Sequence, residues 1–107
     1  MEKENFDIII VGAGMAGVCA AIEAAEKGLN VCMLDVSYGG GASGISGGVV
    51  YAGGGTSTQK EAGVEDSIEN MYRYLKQEVG NVVSDATLRK FCEESPASAE
   101  WLKDKGV

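Results

Sequence analysis

The stretch Asp7-Ile8-Ile9-Ile10-Val11-Gly12-Ala13-Gly14-Met15-Ala16-Gly17 decides the fold. Its β-branched run, Ile8 to Val11, suits a short strand buried on both faces, and the glycines after it fit the spacing G-x-G-x-x-G at the opening of a helix. Each glycine has its own reason. Gly12 permits the tight turn, Gly14 leaves room for a pyrophosphate beside the backbone, and Gly17 allows the helix to pack closely. A diphosphate there meets unpaired N–H groups and the positive end of the helix dipole.

Working outward, residues 14–27 read as a helix whose Ala16, Cys19, Ala20 and Ala24 are small enough to approach a sheet, with Gly28 as the residue after its end. Residues 30–35 read as the second strand. Asp35 closes it 18 residues after Gly17, near the separation of about 20 at which an acid reaches a ribose hydroxyl. A carboxylate there accepts from the 2′-OH and repels a 2′-phosphate, which disfavours NADP. A lone G-x-G-x-x-G is weak evidence; a strand before it, a helix after it and an acid at the next strand end make the joint pattern specific for a dinucleotide. The β-α-β unit leaves FAD and NAD both open.

Residues 37–55 are so rich in glycine that they resemble a flexible linker. A linker has no need of Ile45, Val49, Val50 and Tyr51, and a small-residue backbone also wraps closely around a flat ring system. Further on, Asp66 with Glu69 reads as a helix start, and Ile68, Met71, Tyr72, Leu75 and Val79 form a core stripe that Gly80 stops. Tyr72 and Tyr74 read as packing residues. Ser84 caps a helix through Glu94 that buries Leu88, Phe91 and Cys92, and Ser95-Pro96 reads as the cap and first turn of a separate helix carrying Trp101 and Leu102. Arg73, Arg89 and Lys90 read as solvated charges.

Composition narrows the function. In 107 residues, 16 acidic against nine basic side chains give a net charge of −7, which argues against nucleic acid and anionic membrane as partners. Cys19, Cys32 and Cys92 form no C-x-x-C pair and the chain has no histidine, so metal ligation is not indicated, and free thiols suit a reducing cytoplasm. The apolar run over residues 8–22 imitates the core of a secretory signal, but the flank Met1-Glu2-Lys3-Glu4 is net acidic where such a signal is basic.

The residues Gly12-Ala-Gly-Met-Ala-Gly17, Asp35, Gly41-Ala-Ser-Gly-Ile-Ser-Gly-Gly48 and Val49-Val-Tyr-Ala-Gly-Gly-Gly-Thr56 resemble the N-terminus of FAD-dependent oxidoreductases of the fumarate reductase/succinate dehydrogenase flavoprotein group, and most of all its 3-ketosteroid dehydrogenase-like branch. The similarity continues through Ala62-Gly-Val-Glu-Asp66, Val82-Val-Ser-Asp85 and Thr87-Leu-Arg-Lys-Phe-Cys92. It implies a partial α/β, Rossmann-like doubly wound domain: residues 1–36 as the dinucleotide unit, 37–55 as a flavin-contacting loop, and 56–107 as a helical extension.

By the same resemblance, Gly12, Gly14, Met15, Ala16 and Gly17 hold the FAD diphosphate and Asp35, where the family usually has Glu, holds the adenosine ribose. Ala42, Ser43, Ser46, Gly47 and Gly48 lie along the diphosphate and flavin. The succinate dehydrogenase branch attaches FAD through a histidine at the position matching Gly41, so the flavin here is expected to be noncovalent. The small-molecule substrate and the catalytic groups are expected in a larger remainder beyond residue 107, and exposed apolar faces are expected to make this portion self-associate. An NAD-dependent dehydrogenase domain and a non-catalytic module completed by a partner chain stay as alternatives.

Overall fold

The computed structural model describes residues 4–107; residues 1–3, part of the acidic flank weighed above, lie outside the described residues. The chain forms two compact units, one ending at Val49 and the other Val50–Val107. The first is β1 (Ile8–Val11), α1 (Met15–Glu26), β2 (Val31–Leu34) and a short α2 (Gly41–Gly44). β1 and β2 pair in parallel with Ile8 opposite Val31 and Val11 opposite Leu34, and α1 is the crossover that a parallel pair requires. Expected and observed elements agree within a residue or two. Gly28, at φ +80°, follows the end of α1 as the sequence suggests.

Burial in this unit is thin. Ala24 alone among its described residues is buried, and β1 is not the strand covered on both faces that its β-branched run suggests, since Ile9 stays 59% and Val11 83% exposed where chiefly α1 and β2 pack against it. The glycine-rich segment after β2 contains a turn of helix, α2, that composition alone gives no sign of.

The second unit is helical: α3 (Ser57–Glu61), α4 (Ile68–Val79) and α5 (Asp85–Asp104). α4 and α5 pack through Met71, Leu88 and Cys92, the last with no exposed surface. Gly80 ends α4 at φ +56° as expected. Its start differs from the expectation. Ser67, not Asp66, is the cap, accepting from the Asn70 amide at 3.1 Å. That shift by one residue puts Glu69 too early to close a capping box, and Glu69 instead holds Arg73 and Arg89, each at 3.2 Å. The capping box occurs in α3, between Thr56 and Gln59.

α5 is one continuous helix of 20 residues with Pro96 inside it, not two helices parted at Ser95. The buried residues Leu88, Cys92 and Ser95 recur at helical spacing, and this packing overrides the local cap-and-proline signal. The Ser95 hydroxyl is committed elsewhere, accepting from the Gly53 amide at 3.1 Å. Two further expectations fail on exposure: Phe91 is 45% and Tyr74 53% exposed. Arg89 is not merely solvated, since its guanidinium stacks 4.0 Å from the Tyr72 ring centroid.

Candidate functional site

The three motif glycines sit where β1 turns into α1, and the geometry separates their roles. Gly12 donates to the Leu34 carbonyl at 2.7 Å, extending the strand pairing, and then turns at φ +102°, a conformation that favours glycine. At Gly17, a Cβ would lie 1.8 Å from the Gly12 carbonyl oxygen, so any side chain would push α1 off the turn. Gly14 is different. Its φ of −80° suits any residue, and a Cβ there would meet nothing closer than the Gly40 oxygen and Ser43 Oγ, both at 3.9 Å. Neither backbone strain nor packing within the chain calls for a glycine at this position, the N-cap of α1, where the cap residue itself brings no side chain.

The segment after β2 folds back onto this turn. The Gly40 amide donates to the Ala13 carbonyl at 2.8 Å, and Ser43 on α2 accepts from the Met15 amide at 3.2 Å. Ser43 therefore lies at the mouth of the glycine turn, beside Gly14, Met15 and the first turn of α1 with Ala16. Ala42 is on the same turn of helix. The side chain of Ser46 turns to its own loop: Ser46 Oγ donates to the Ser43 carbonyl at 2.9 Å and accepts from the Gly48 amide at 3.2 Å. Gly47 and Gly48 stand in open space, with nothing within 4 Å of a Cβ built on either.

Asp35 sits just past the end of β2 and is tied to the turn. Its Oδ2 accepts from the Ala13 amide at 2.7 Å, and its Oδ1 accepts from the Ser37 amide at 2.9 Å and hydroxyl at 3.1 Å. The bond from Ala13, and then those from Ser37, hold the carboxyl below the usual aspartate range, so it is anionic at neutral pH. The partners Ala13, Ser37 and Gly40 were not legible as site residues. The only available sign was the Asp-x-Ser spacing, which supports a side-chain turn.

No charged side chain other than Asp35 occurs among residues 12–17 and 35–48. The unit offers backbone donors and a helix start to an anion, and a single acceptor to a sugar; it offers no base placed for proton transfer. The helical unit has its own cleft of about 360 Å³, lined by Tyr51, Gly53, Gln59, Asp66, Met71 and Tyr74. There Asp66 accepts from the Gly54 amide at 2.8 Å and from Gln59 Nε2 at 2.9 Å, which holds its carboxyl low, while burial pushes the Tyr51 hydroxyl up. Among the described residues no cluster of side chains suits a metal ion, and no helix is long and apolar enough to cross a membrane.

Known proteins are similar to this chain. The 3-oxo-5-alpha-steroid 4-dehydrogenase of Comamonas testosteroni is 46% identical over 101 residues, covering 94% of this chain and 19% of that protein. The NADH:fumarate oxidoreductase of Klebsiella pneumoniae (strain 342) is 33% identical over 106 residues, covering 97% of this chain and 11% of that protein. The crystal structure of 3-ketosteroid-delta4-(5alpha)-dehydrogenase from Rhodococcus jostii RHA1, in complex with 4-androstene-3,17-dione, superposes with a TM-score of 0.85 at 41% identity, covering 95% of this chain and 21% of that one. The chain thus spans about a fifth or less of the length of these relatives. Matched from Asp7, where the quoted stretch begins, to Val107, the chain belongs to the family described as FAD binding domain, which decides for FAD over NAD where the β-α-β unit left both open.

Proposed function

We propose that this chain is the N-terminal part of a Rossmann-like, doubly wound FAD-binding domain in a cytoplasmic oxidoreductase that adds or removes hydrogen across a carbon–carbon bond next to a carbonyl or carboxylate. The observation that carries the reading is Gly14: a glycine that neither its backbone nor its neighbours require, at a helix start whose cap residue brings no side chain. A diphosphate is the group that such a position would take. Residues 1–36 serve as the dinucleotide unit, 37–55 as the loop along the flavin, and 56–107 as a helical extension.

The residues of this chain bind and orient rather than react. The amides at the start of α1, with the helix dipole behind them, neutralise the diphosphate without a lysine or arginine. Ser43, already on the Met15 amide, would meet the same phosphates through its hydroxyl, and Ala42, Ser46, Gly47 and Gly48 would follow along the cofactor. Asp35 accepts from the adenosine ribose with the carboxylate capacity its three present bonds leave. Bound FAD supplies hydride transfer at its flavin ring. The attachment is taken to be noncovalent because Gly41 stands where the succinate dehydrogenase branch carries its linking histidine.

For the substrate, a 3-ketosteroid is favoured over fumarate by the 46% and 41% identities to steroid dehydrogenases against 33% to the fumarate enzyme. The net charge of −7 speaks against nucleic acid as a partner. The test is to purify the full gene product and record its visible spectrum. We expect flavin absorbance that acid precipitation releases into the supernatant as intact FAD, and anaerobic bleaching by a saturated 3-ketosteroid. A colourless protein that takes up no FAD on titration would overturn the cofactor assignment; bleaching by succinate alone would move the substrate.

A further inference from the structure

The bond from the Ala13 amide to Asp35 gives the acid at the end of β2 a second task. Ala13 stands between Gly12, which turns at φ +102°, and Gly14, which faces the proposed diphosphate space. The two peptide planes that meet at Ala13 therefore help set the shape of the turn, and each is held by one bond. The amide donates to Asp35 Oδ2 at 2.7 Å, and the Ala13 carbonyl accepts from the Gly40 amide at 2.8 Å. Asp35 is in turn aimed by Ser37, whose amide and hydroxyl both reach Oδ1. A carboxylate aimed in this way orients the peptide that joins Gly12, the permissive residue of the turn, to Ala13.

We infer that Asp35 is a positioning residue for the diphosphate as well as a ribose acceptor: by fixing the Ala13 amide it holds the glycine turn in its binding shape before the cofactor arrives. The inference rests on the proposed FAD site and separates from it in one comparison. A residue that reads only the ribose affects only ligands that carry the ribose. A residue that shapes the turn also affects a ligand that ends at the diphosphate. Riboflavin 5′-diphosphate is such a ligand, having the flavin and both phosphates but no adenosine.

The experiment measures affinities of the flavin-free full gene product for FAD and for riboflavin 5′-diphosphate, in the native protein and in Asp35→Ala and Asp35→Asn. Asp35→Ala is expected to weaken riboflavin 5′-diphosphate at least tenfold. Asp35→Asn keeps a carbonyl oxygen that accepts from Ala13, at the loss of the bond from the Ser37 amide, and is expected to bind that ligand at least threefold more tightly than Asp35→Ala, which a general loss of fold would not do. Native-like riboflavin 5′-diphosphate binding by Asp35→Ala, with FAD weakened tenfold, would overturn the inference and leave the ribose role standing. Failure of the native protein to bind either ligand would instead strike the FAD site itself, and the inference with it. If Asp35→Ala does not fold, Ser37→Ala takes its place: it removes one bond that aims the carboxylate, and both ligands are expected to weaken by the same factor within twofold. Weakening of FAD alone would again overturn the positioning role.

Discussion

Gly14 and Gly17 lie three residues apart and are chemically the same, yet their surroundings give opposite expectations. A methyl group at Gly17 collides with a backbone oxygen at 1.8 Å, and backbone cannot swing aside as a flexible side chain can. Gly17→Ala should therefore destabilise the apo protein by about 3 kcal/mol, the upper end for overpacking. A methyl group at Gly14 meets only atoms at 3.9 Å. Gly14→Ala should leave stability within about 0.5 kcal/mol of native while FAD affinity falls at least tenfold, about 1.4 kcal/mol. Urea unfolding of the flavin-free protein beside FAD titration checks both, and a Gly14→Ala protein that keeps native affinity would remove this glycine from the site. The motif spacing made these glycines legible, whereas the Asp35–Ala13 bond was not, because a sequence shows which side chains can accept and not which amide lies within reach.

Among the elements, the start of α4 shows how a local signal misleads. Asp66 looks like a cap but faces the other way, accepting from Gly54 and Gln59 through Oδ2 and from the Ser67 amide through Oδ1. Removing it as Asp66→Ala strands the half-buried Gly54 amide and should cost about 1–3 kcal/mol. The bond from Gly54, and then that from Gln59, lower the folded-state pKa below the usual 3.8. The carboxylate's contribution is therefore fully present above that value and is lost as the pH falls through the lowered one. The melting-temperature gap between native protein and Asp66→Ala should be widest near neutral pH and narrow below about pH 4; a constant gap down to about pH 3 would show that the charge is not what stabilises. β1, α1 and β2 were legible because strand composition and motif glycines agree. α5 was not, because Ser95 and Pro96 carry the local marks of a helix start, while Leu88, Cys92 and Ser95 form one buried stripe that favours continuity. α3 hides its capping box behind three glycines.

At the scale of the whole molecule, the first unit carries much apolar surface. Ile9, Val11, Leu34, Ile45 and Val49 are each more than half exposed, more than a small soluble domain usually leaves in water. Against this stands a net charge of −7, which keeps copies apart at low ionic strength and is screened by salt. The 107-residue chain on its own is thus expected to self-associate, and more strongly at about 0.5 M salt than at about 0.02 M, where the screening length is several times longer. Sedimentation velocity at both salt levels checks this, and a monomer throughout would show that these residues find cover within the chain. The second unit is joined over longer spans of chain than its two main helices suggest. The bonds from Gly53 to Ser95, Ser57 to Glu100, and Lys103 to Ser57 and Glu61 link residues 42 to 46 apart, while the α4–α5 ion pairs Glu69–Arg89 and Lys76–Asp85 link residues 20 and nine apart. Closing a long loop costs more entropy than closing a short one. The α4–α5 hairpin is therefore expected to form early and to set how fast the unit folds, and α3 to dock late, so that truncating Ser95, Glu100 or Lys103 should speed unfolding in stopped-flow measurements more than it slows folding.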